Sequence, residues 1–217
     1  DKTTYKSTSS VECDCICVSG FWTPSVHLAS QSGNKLKFDK EIDAFVPDKS
    51  KQEEITVGAA NGNFTLHDTL NAGFNAGSKV SKKLNNKDVD IQIPNVTEKK
   101  HKTHDKFWCA PLPKNIKAKR FVDFQNDVSV TDIEIALREG YRSIEHVKRY
   151  TTLGMATDQG RTSNLNGLQL VSNIENKIVP EVGHTTFRPP FTPVTIGTIV
   201  GREAVSYTHL TLPTNGT

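Results

Sequence analysis

Three helix-length patterns follow one another between residues 119 and 180, and they constrain the fold more than any other feature of the chain. In the first pattern, Thr131 and Glu134 have the spacing of a capping box, in which each side chain bonds the backbone amide of the other residue. Gly140 is a natural end for that helix, because glycine readily adopts the left-handed conformation that closes a helix. We therefore predict one helix between Thr131 and Gly140.

The second and third patterns each follow a residue that can cap a helix. Ser143 precedes the second pattern, and Thr162 or Ser163 precedes the third. The third pattern has apolar residues at helical spacing, namely Leu165, Leu168, Val171 and Ile174. Three short helices joined by loops predict a small all-α domain at residues 119–180.

An α/β pattern occupies residues 11–84. Residues 11–20 are a β-branched apolar run that ends in Ser-Gly, which predicts a buried parallel strand. Cys13 and Cys17 would share one face of that strand, with Cys15 on the opposite face, which is poor geometry for a metal site. We predict that these cysteines are buried free thiols.

A hairpin and a strand–turn–helix unit follow. Residues 33–48 alternate apolar and polar residues on either side of a turn, which predicts an antiparallel hairpin with Phe38 and Phe45 facing inward. A predicted strand at Ile55–Val57 then meets a glycine-rich turn. The predicted helix after that turn has an apolar side made of Leu66, Leu70, Phe74 and Ala76–Val80.

The turn Gly58-Ala59-Ala60-Asn61-Gly62 allows two interpretations. A strand, a glycine turn and a helix form the arrangement that aims backbone amides at a phosphate. The turn lacks the GxGxxG spacing, however, and an ordinary strand-to-helix connection uses the same glycines. If phosphate binds here, a β-branched side chain at Gly62 should obstruct its approach to the backbone.

The remaining segments are predicted to be irregular. Residues 85–118 are rich in Lys, Asn, Pro and His, which indicates a connector. Residues 181–204 are rich in proline and predict an extended strap. Residues 205–217 match the translation of a cloning adapter, so we exclude them from the fold and expect them to lie detached from it.

Composition excludes several classes of protein. The 27 basic and 24 acidic residues give a net charge of +3, which argues against a dedicated nucleic-acid-binding protein. No apolar run approaches the roughly 18 to 20 residues that a membrane-spanning helix needs. We recognise no nucleophile–base pair and no metal-ligand spacing, so no catalytic residue or metal ligand is assigned. Because the chain opens at Asp1 and its single methionine is Met155, we expect a piece of a longer protein.

Five stretches of the chain match one protein family in order. They are "CVSGFWTPSVHLASQSGNKLKFD", "FVPD", "TVGAANGNFTL", the block Phe121–Asn164 and "TTFRPPFTPV". Together they span nearly all of residues 11–204. In these stretches the chain resembles the α subunits of heterotetrameric sarcosine oxidase.

The resemblance implies a domain order and a set of cofactors. Residues 11–84 would be the closing part of a two-dinucleotide-binding, flavoprotein-like α/β domain that holds NAD, and residues 181–204 would lead to a folate-binding domain that carries tetrahydrofolate. FAD and FMN would lie in a partner subunit, and the partners would be the β, γ and δ subunits in the cytoplasm. The implied reaction is oxidative demethylation of sarcosine to glycine, with methyl transfer to tetrahydrofolate and production of hydrogen peroxide. The amine-oxidising site would lie outside this chain.

The resemblance also implies a set of cofactor-binding residues. Those beside the dinucleotide would be Gly58, Ala59, Asn61, Gly62, Phe64 and Thr65. Gly20 would lie in the loop that returns the chain from the inner domain.

Related opine and proline dehydrogenase α subunits hold an iron–sulfur cluster in the small domain through four cysteines. The corresponding positions here are Asp123, Gln125, Asp158 and Ser163, and oxygen ligands do not replace thiolates on such a cluster. We therefore expect a loop without a cluster, in which Asp158, Gln159 and Ser163 bond backbone amides at the helix ends. These departures favour sarcosine oxidase over an opine or proline dehydrogenase; a non-catalytic docking module is the third alternative.

Overall fold

The computed structural model describes residues 9, 11–20, 22–85, 92–96, 108–112, 116–189, 192 and 194–201. The adapter-like residues 205–217 lie outside the described residues. In chain order the elements are α1 (His27–Gln31), β1 (Leu36–Asp39), β2 (Ala44–Pro47), a 3-10 turn (Gly58–Asn61), α2 (Leu66–Asn85), β3 (Phe121–Asp123), β4 (Val128–Ser129), α3 (Val130–Arg138), α4 (Ile144–Thr151), α5 (Asn164–Glu175), α6 (Val179–Val182) and α7 (Ile196–Val200).

The main hydrophobic core lies between α3, α4 and α5, as the three predicted helices require. Its completely buried side chains include Ile133 of α3, Val147 of α4 and Val171 of α5. Leu153, just after α4, fills the space beside them and is also fully buried. The three predicted helices are confirmed, and they pack as one unit with the short antiparallel pair β3–β4.

The start of α3 differs from the prediction. The capping box consists of Ser129 and Asp132, not of Thr131 and Glu134: both the amide and the hydroxyl of Ser129 donate to Asp132 Oδ2, at 2.8 and 2.7 Å. The shift arises because β4 runs directly into α3, so the helix begins two residues earlier than the sequence pattern suggests. The predicted end at Gly140 is confirmed, with a φ angle of +97°.

The predicted N-cap positions of α4 and α5 are confirmed at Ser143 and Ser163. Neither side chain bonds an amide of its own helix, so each serine marks the helix start by its backbone position alone. Leu168 and Val171 are buried as predicted, whereas Ile174 is 40% exposed. The apolar face of α5 therefore packs against the core only in its first part.

The predicted hairpin is confirmed as the antiparallel pair β1–β2. Phe38 and Phe45 are directly opposite each other, and their ring centroids lie 5.3 Å apart in an edge-on arrangement. Both rings also pack against the core of the three helices. The hairpin is therefore attached to the helical unit, although about 70 residues separate them in sequence.

The predicted buried strand at residues 11–20 is wrong. This segment has no regular secondary structure, and Val11 and Ile16 are 82% and 74% exposed. The predicted burial of its three cysteines is wrong as well, since all are exposed. The physical reason is the lack of a pairing strand: in the described part of the chain, β1 pairs only with β2 and β3 only with β4.

The predicted strand–turn–helix unit is confirmed only in its helix. Residues Ile55–Val57 are irregular, with Val57 extended but not in a strand. The hydroxyl oxygen of Thr65 accepts the amide of Asp68 at 3.1 Å and so caps α2. The predicted apolar side of α2 is only partly buried: Leu70 and Phe74 are half-buried, whereas Leu66 is 53% exposed. None of the helices in the described ranges combines the length and apolarity needed to cross a membrane.

The predicted strap is extended only in part. Residues 183–189 have no helix or strand, as expected. Helix α7 interrupts the segment, with the side chain of Thr195 accepting the amide of Thr198. In the predicted connector, Asn85 is the last residue of α2, and the described residues 92–96, 108–112 and 116–118 are irregular, as expected.

Two glycine substitutions test whether the 3-10 turn needs glycine for its backbone. Gly62 has a φ angle of +85°, and a Cβ there would lie 2.9 Å from Ile42 Cδ1. Gly62→Ala should therefore lower the free energy of unfolding by about 1–3 kcal/mol. Gly73→Ala, inside α2 with nothing within 4 Å of its Cβ, should raise it by about 0.5–1 kcal/mol. Urea unfolding measures both, and equal effects would contradict this account.

Candidate functional site

Two loops meet on one side of the helical unit. They are residues 124–127, which join β3 to β4, and residues 152–163, which join α4 to α5 and are called the long loop below. Gln125 Oε1 connects them by accepting the hydroxyl of Thr157 at 3.2 Å and the amide of Asp158 at 3.4 Å. The contact joins residues more than 30 positions apart.

Asp123, the last residue of β3, lies beneath this contact and is only 2% exposed. Its Oδ2 accepts the amide of Gly154 at 2.7 Å and the hydroxyl of Ser163 at 3.4 Å. Its Oδ1 accepts the amides of Gln125 and Asn126 at 2.9 and 3.4 Å. Both oxygens therefore face hydrogen-bond donors, which is how a buried carboxyl group is stabilised.

The long loop is also held by its own side chains. Asp158 Oδ1 accepts the amide of Gly160 at 3.1 Å, so it bonds a backbone amide as expected, but that amide lies within the loop and not at a helix end. Gln159 instead donates its side-chain amide to the carbonyl of Ala156 at 3.2 Å, so the expectation that it bonds a backbone amide is wrong. The same expectation for Ser163 is wrong, because its completely buried hydroxyl lies next to the Asp123 carboxyl group.

The structure brings together the four positions that the sequence comparison with cluster-bearing modules singled out. Asp123 contacts Ser163, and Gln125 contacts Asp158. Their oxygens bond backbone amides and hydroxyl groups in both loops. In the described part of the chain, no group of three or more His, Cys, Asp or Glu residues is placed to hold a metal ion.

In the sequence, Asp123 stands out only as a departure from cysteine, and its central role was missed. A local signal was present, because an Asp whose side chain accepts the amide two residues later forms an Asx turn, as Asp123 does with Gln125. The bonds to Gly154 and Ser163 had no such signal, since they join residues 31 and 40 positions apart.

Asn164 closes the long loop from inside. Gly154 and Gly160 have φ angles of +66° and +71°, and a Cβ at either position would overlap the Asn164 side chain. The Asn164 Nδ2 group donates to the carbonyl of Gln159 at 3.1 Å. The two glycines are therefore required both for the backbone conformation and for the space that Asn164 occupies.

The long loop also contacts α1. The His27 Nε2 atom lies 3.4 Å from the carbonyl oxygen of Gln159, and the His27 ring centroid lies 4.0 Å from that of Phe187. Burial lowers the pKa of His27, and the positive charge of Arg161 lowers it further, while the bond to Gln159 opposes the shift. His27 therefore favours its neutral form where the hairpin region, the long loop and the strap meet.

The strap is held by α4 through the backbone of Thr186. Glu145 Oε1 accepts the amide of Thr186 at 2.7 Å, and Lys148 Nζ donates to its carbonyl at 3.4 Å. Lys148 is only 8% exposed, and burial lowers its pKa. Nearby, the His184 ring packs edge-on against Phe45 of the hairpin, with centroids 5.4 Å apart. The strap therefore joins the hairpin to the helical unit.

The turn predicted to approach a dinucleotide uses two of its amides internally. The amide of Gly62 donates to the carbonyl of Ala59, and that of Asn63 donates to the carbonyl of Gly58, both at 3.1 Å. In the first turn of α2, the amide of Asp68 donates to the hydroxyl oxygen of Thr65. These three amides have protein acceptors in the structure.

The predicted cofactor-binding residues fall into three groups. Ala59, Asn61 and Phe64 are exposed and form the accessible surface of the turn. Gly58 is buried, Gly62 faces the hairpin, and Thr65 caps α2. Gly20 lies in the exposed segment 11–20, outside the turn. The assignment of these residues to NAD stays a prediction.

The helical unit matches a known domain family. Residues 117–202 match the family model described as the sarcosine oxidase A3 domain. This range contains the Asp123 network, the long loop and the strap. Residues 117–202 therefore belong to the A3 domain family.

Similarity to individual proteins extends over most of the chain. The chain is 38% identical over 196 residues to sarcosine oxidase subunit alpha from Rhizobium meliloti (strain 1021). The matched region covers 89% of this chain and 20% of that protein. The chain is 34% identical over 198 residues to sarcosine oxidase subunit alpha from Corynebacterium sp. (strain P-1), covering 88% and 20%. The chain thus spans about a fifth of the length of these relatives, and its resemblance to sarcosine oxidase α subunits is confirmed.

A solved structure shares the fold. The crystal structure of L-proline dehydrogenase from P. horikoshii matches with a TM-score of 0.58 and 21% identity, over 82% of this chain and 37% of that chain. The match supports a mixed α/β segment followed by a helical unit. A two-dinucleotide-binding domain remains a prediction.

Asp123→Asn tests whether the buried carboxyl group holds the two loops together. Either orientation of the Asn amide would place its NH₂ group against a backbone amide donor, because Oδ1 and Oδ2 both accept such amides. We expect the free energy of unfolding to fall by about 2–4 kcal/mol. Urea denaturation gives the value.

The matched control is Asp127→Asn, which is four residues from Asp123 and exposed, with a φ angle of +53° that Asn tolerates well. It should change stability by less than about 0.5 kcal/mol. A loss in the control as large as that of Asp123→Asn would show that the effect is not specific to the buried network.

Proposed function

We propose that this chain is part of the α subunit of a sarcosine oxidase, an oxidoreductase that demethylates sarcosine to glycine, passes the methyl group to tetrahydrofolate and produces hydrogen peroxide. The similarity to sarcosine oxidase α subunits along 196 residues supports the family. One observation favours sarcosine oxidase over the related opine and proline dehydrogenases, namely the Asp123 network. In this network, oxygen and amide groups stand at the positions assigned to the cluster cysteines of those dehydrogenases.

In this proposal the chain positions other components of the enzyme and does not itself oxidise the amine. It contributes to NAD binding at the 3-10 turn and to packing between subunits or domains. FAD and FMN are held by the partner subunit, and tetrahydrofolate by a domain that follows the strap. The name "subunit alpha" of the relatives implies a multi-subunit complex. We propose the β, γ and δ subunits as partners and the cytoplasm as the compartment.

The second candidate is the α subunit of a proline or opine dehydrogenase. The fold shared with L-proline dehydrogenase from P. horikoshii favours it. A fold is compatible with several activities, however, and the four non-cysteine positions weigh against an enzyme that needs a cluster in this domain. A docking module without catalytic partners is the third candidate. It is consistent with the contacts that the strap makes with the hairpin and with α4.

Substrate preference and iron content distinguish these candidates. The α subunit, purified in complex with its partner subunits, should consume oxygen with sarcosine and release hydrogen peroxide, whereas L-proline should give little turnover. Iron in the A3 domain should be substoichiometric after anaerobic reconstitution, because oxygen groups do not hold a cluster that needs four thiolates. Faster turnover of L-proline, together with stoichiometric iron, would favour the dehydrogenase. Assembly without turnover of either substrate would favour the docking module.

Ala59→Asp tests the proposed NAD site without disturbing the fold. Ala59 is exposed in the 3-10 turn, so an Asp side chain can be accommodated there. Its carboxylate should weaken NAD binding to the intact subunit by roughly tenfold through repulsion of the pyrophosphate. Ala59→Asn, which adds a neutral side chain of nearly the same size as Asp, is the control. Calorimetric titration gives both affinities, and unchanged affinity in a folded Ala59→Asp variant would remove this turn from the NAD site.

A further inference from the structure

Three Asn-Gly pairs occur in the sequence, namely Asn61-Gly62, Asn166-Gly167 and Asn215-Gly216. In such a pair the glycine nitrogen can attack the side-chain amide of the asparagine, because glycine has no side chain to obstruct the five-membered ring that forms. The first two pairs lie in the described part of the chain, and the third lies outside it. The structure places these first two pairs in different surroundings.

The pair Asn61-Gly62 lies at the end of the exposed 3-10 turn that precedes α2. The side chain of Asn61 is exposed and has no hydrogen-bond partner among the described residues. The half-buried Gly62 donates its amide to the carbonyl of Ala59 at 3.1 Å, within the same turn. A single turn at the surface opens at a much lower free energy than the core, so the Gly62 nitrogen can be released while the rest of the chain stays folded.

The pair Asn166-Gly167 lies inside α5 and is held by the core. The buried Gly167 donates its amide to the carbonyl of Ser163 at 2.9 Å. A Cβ at Gly167 would lie only 2.5 Å from Cδ2 of Leu153, which is itself completely buried. Release of the Gly167 nitrogen therefore requires the first turns of α5 to leave the core, and that opening approaches unfolding of the whole helical unit.

We propose that Asn61 is a site of spontaneous deamidation in the folded protein and that Asn166 is protected from the same reaction. The Gly62 nitrogen gives its proton to hydroxide and attacks Asn61 Cγ. A carbon–nitrogen bond forms, the bond from Cγ to Nδ2 breaks, and ammonia leaves with a proton taken from water. Water then adds to one of the two carbonyl groups of the resulting succinimide, and the ring opens to aspartate or to isoaspartate. The only co-reactant consumed is water.

Both products change the 3-10 turn. Each replaces a neutral amide by a carboxylate at an exposed position. Isoaspartate also adds one main-chain methylene between residues 61 and 62, inside the ring closed by the bond from the Asn63 amide to the Gly58 carbonyl. The Asn63 carbonyl accepts the hydroxyl of Thr69 at 3.0 Å, so the change extends to the first turns of α2. This effect does not depend on whether NAD binds at the turn.

The two Asn-Gly pairs in one molecule provide the test and its control. The full chain is incubated in mildly alkaline buffer, and peptide mapping by mass spectrometry follows the conversion of amide to acid at each asparagine. In the folded chain, Asn61 should deamidate at least about tenfold faster than Asn166, since only its turn opens without the core. In urea the two rates should become similar, because neither pair is then held by structure. Equal rates at the two positions in the folded chain would overturn the proposal.

Asn61→Gln tests the chemical route. A glutamine side chain would have to close a six-membered ring, which forms far more slowly, so acid should no longer appear at residue 61, while the rate at Asn166 stays unchanged. Acid formed at residue 61 of this variant as fast as in the unchanged chain would contradict the succinimide route. The comparison of Asn61 with Asn166 in the unchanged protein decides the proposal even if Asn61→Gln fails to fold.

Discussion

The buried carboxyl group of Asp123 is the constraint on which the helical unit depends. It accepts bonds from Gln125 and Asn126 in its own turn and from Gly154 and Ser163 across the fold. Backbone amides in loops have no regular partners, and burying them without an acceptor would be costly. One side chain thus satisfies donors in two loops and at the start of α5, which allows irregular segments to pack against a hydrophobic core.

The long loop that Asp123 holds also contacts α1. Asn164 fills the space left by two glycines, and the carbonyl of Gln159 that bonds Asn164 also contacts His27 of α1. The strap completes the arrangement through Thr186 and α4. His27 of α1 therefore contacts both the long loop and the strap, and the strap is bonded to α4.

The same loop bears on the relation between fold and chemistry. The chain shares its fold with a proline dehydrogenase and its sequence with sarcosine oxidase α subunits. The fold alone does not separate these activities. In our proposal, the side chains in the long loop distinguish the two activities. Hydrogen bonds between oxygen and amide groups hold the loop in place of the metal cluster expected in the dehydrogenases, and they add no redox centre.

The sequence by itself determined the elements whose signals are local. The three helices of the core, the end of α3 at Gly140 and the hairpin that contains Phe38 and Phe45 all follow from residues close together in the chain. It also indicated that Asp123, Gln125, Asp158 and Ser163 belong together, through the family resemblance. These elements can be recognised in the sequence because caps, turn residues and apolar spacing repeat within a few residues of one another.

Tertiary structure decided what depends on distant partners. Residues 11–20 have the composition of a strand, yet a strand forms only where another strand pairs with it, and the described residues offer none. The start of α3 moved to Ser129 because β4 leads into it. The role of Asp123 was fixed by donors 31 and 40 residues away, which no local pattern records. The sequence gives the type of a hydrogen-bonding side chain, but its partners depend on which distant residues the fold brings next to it.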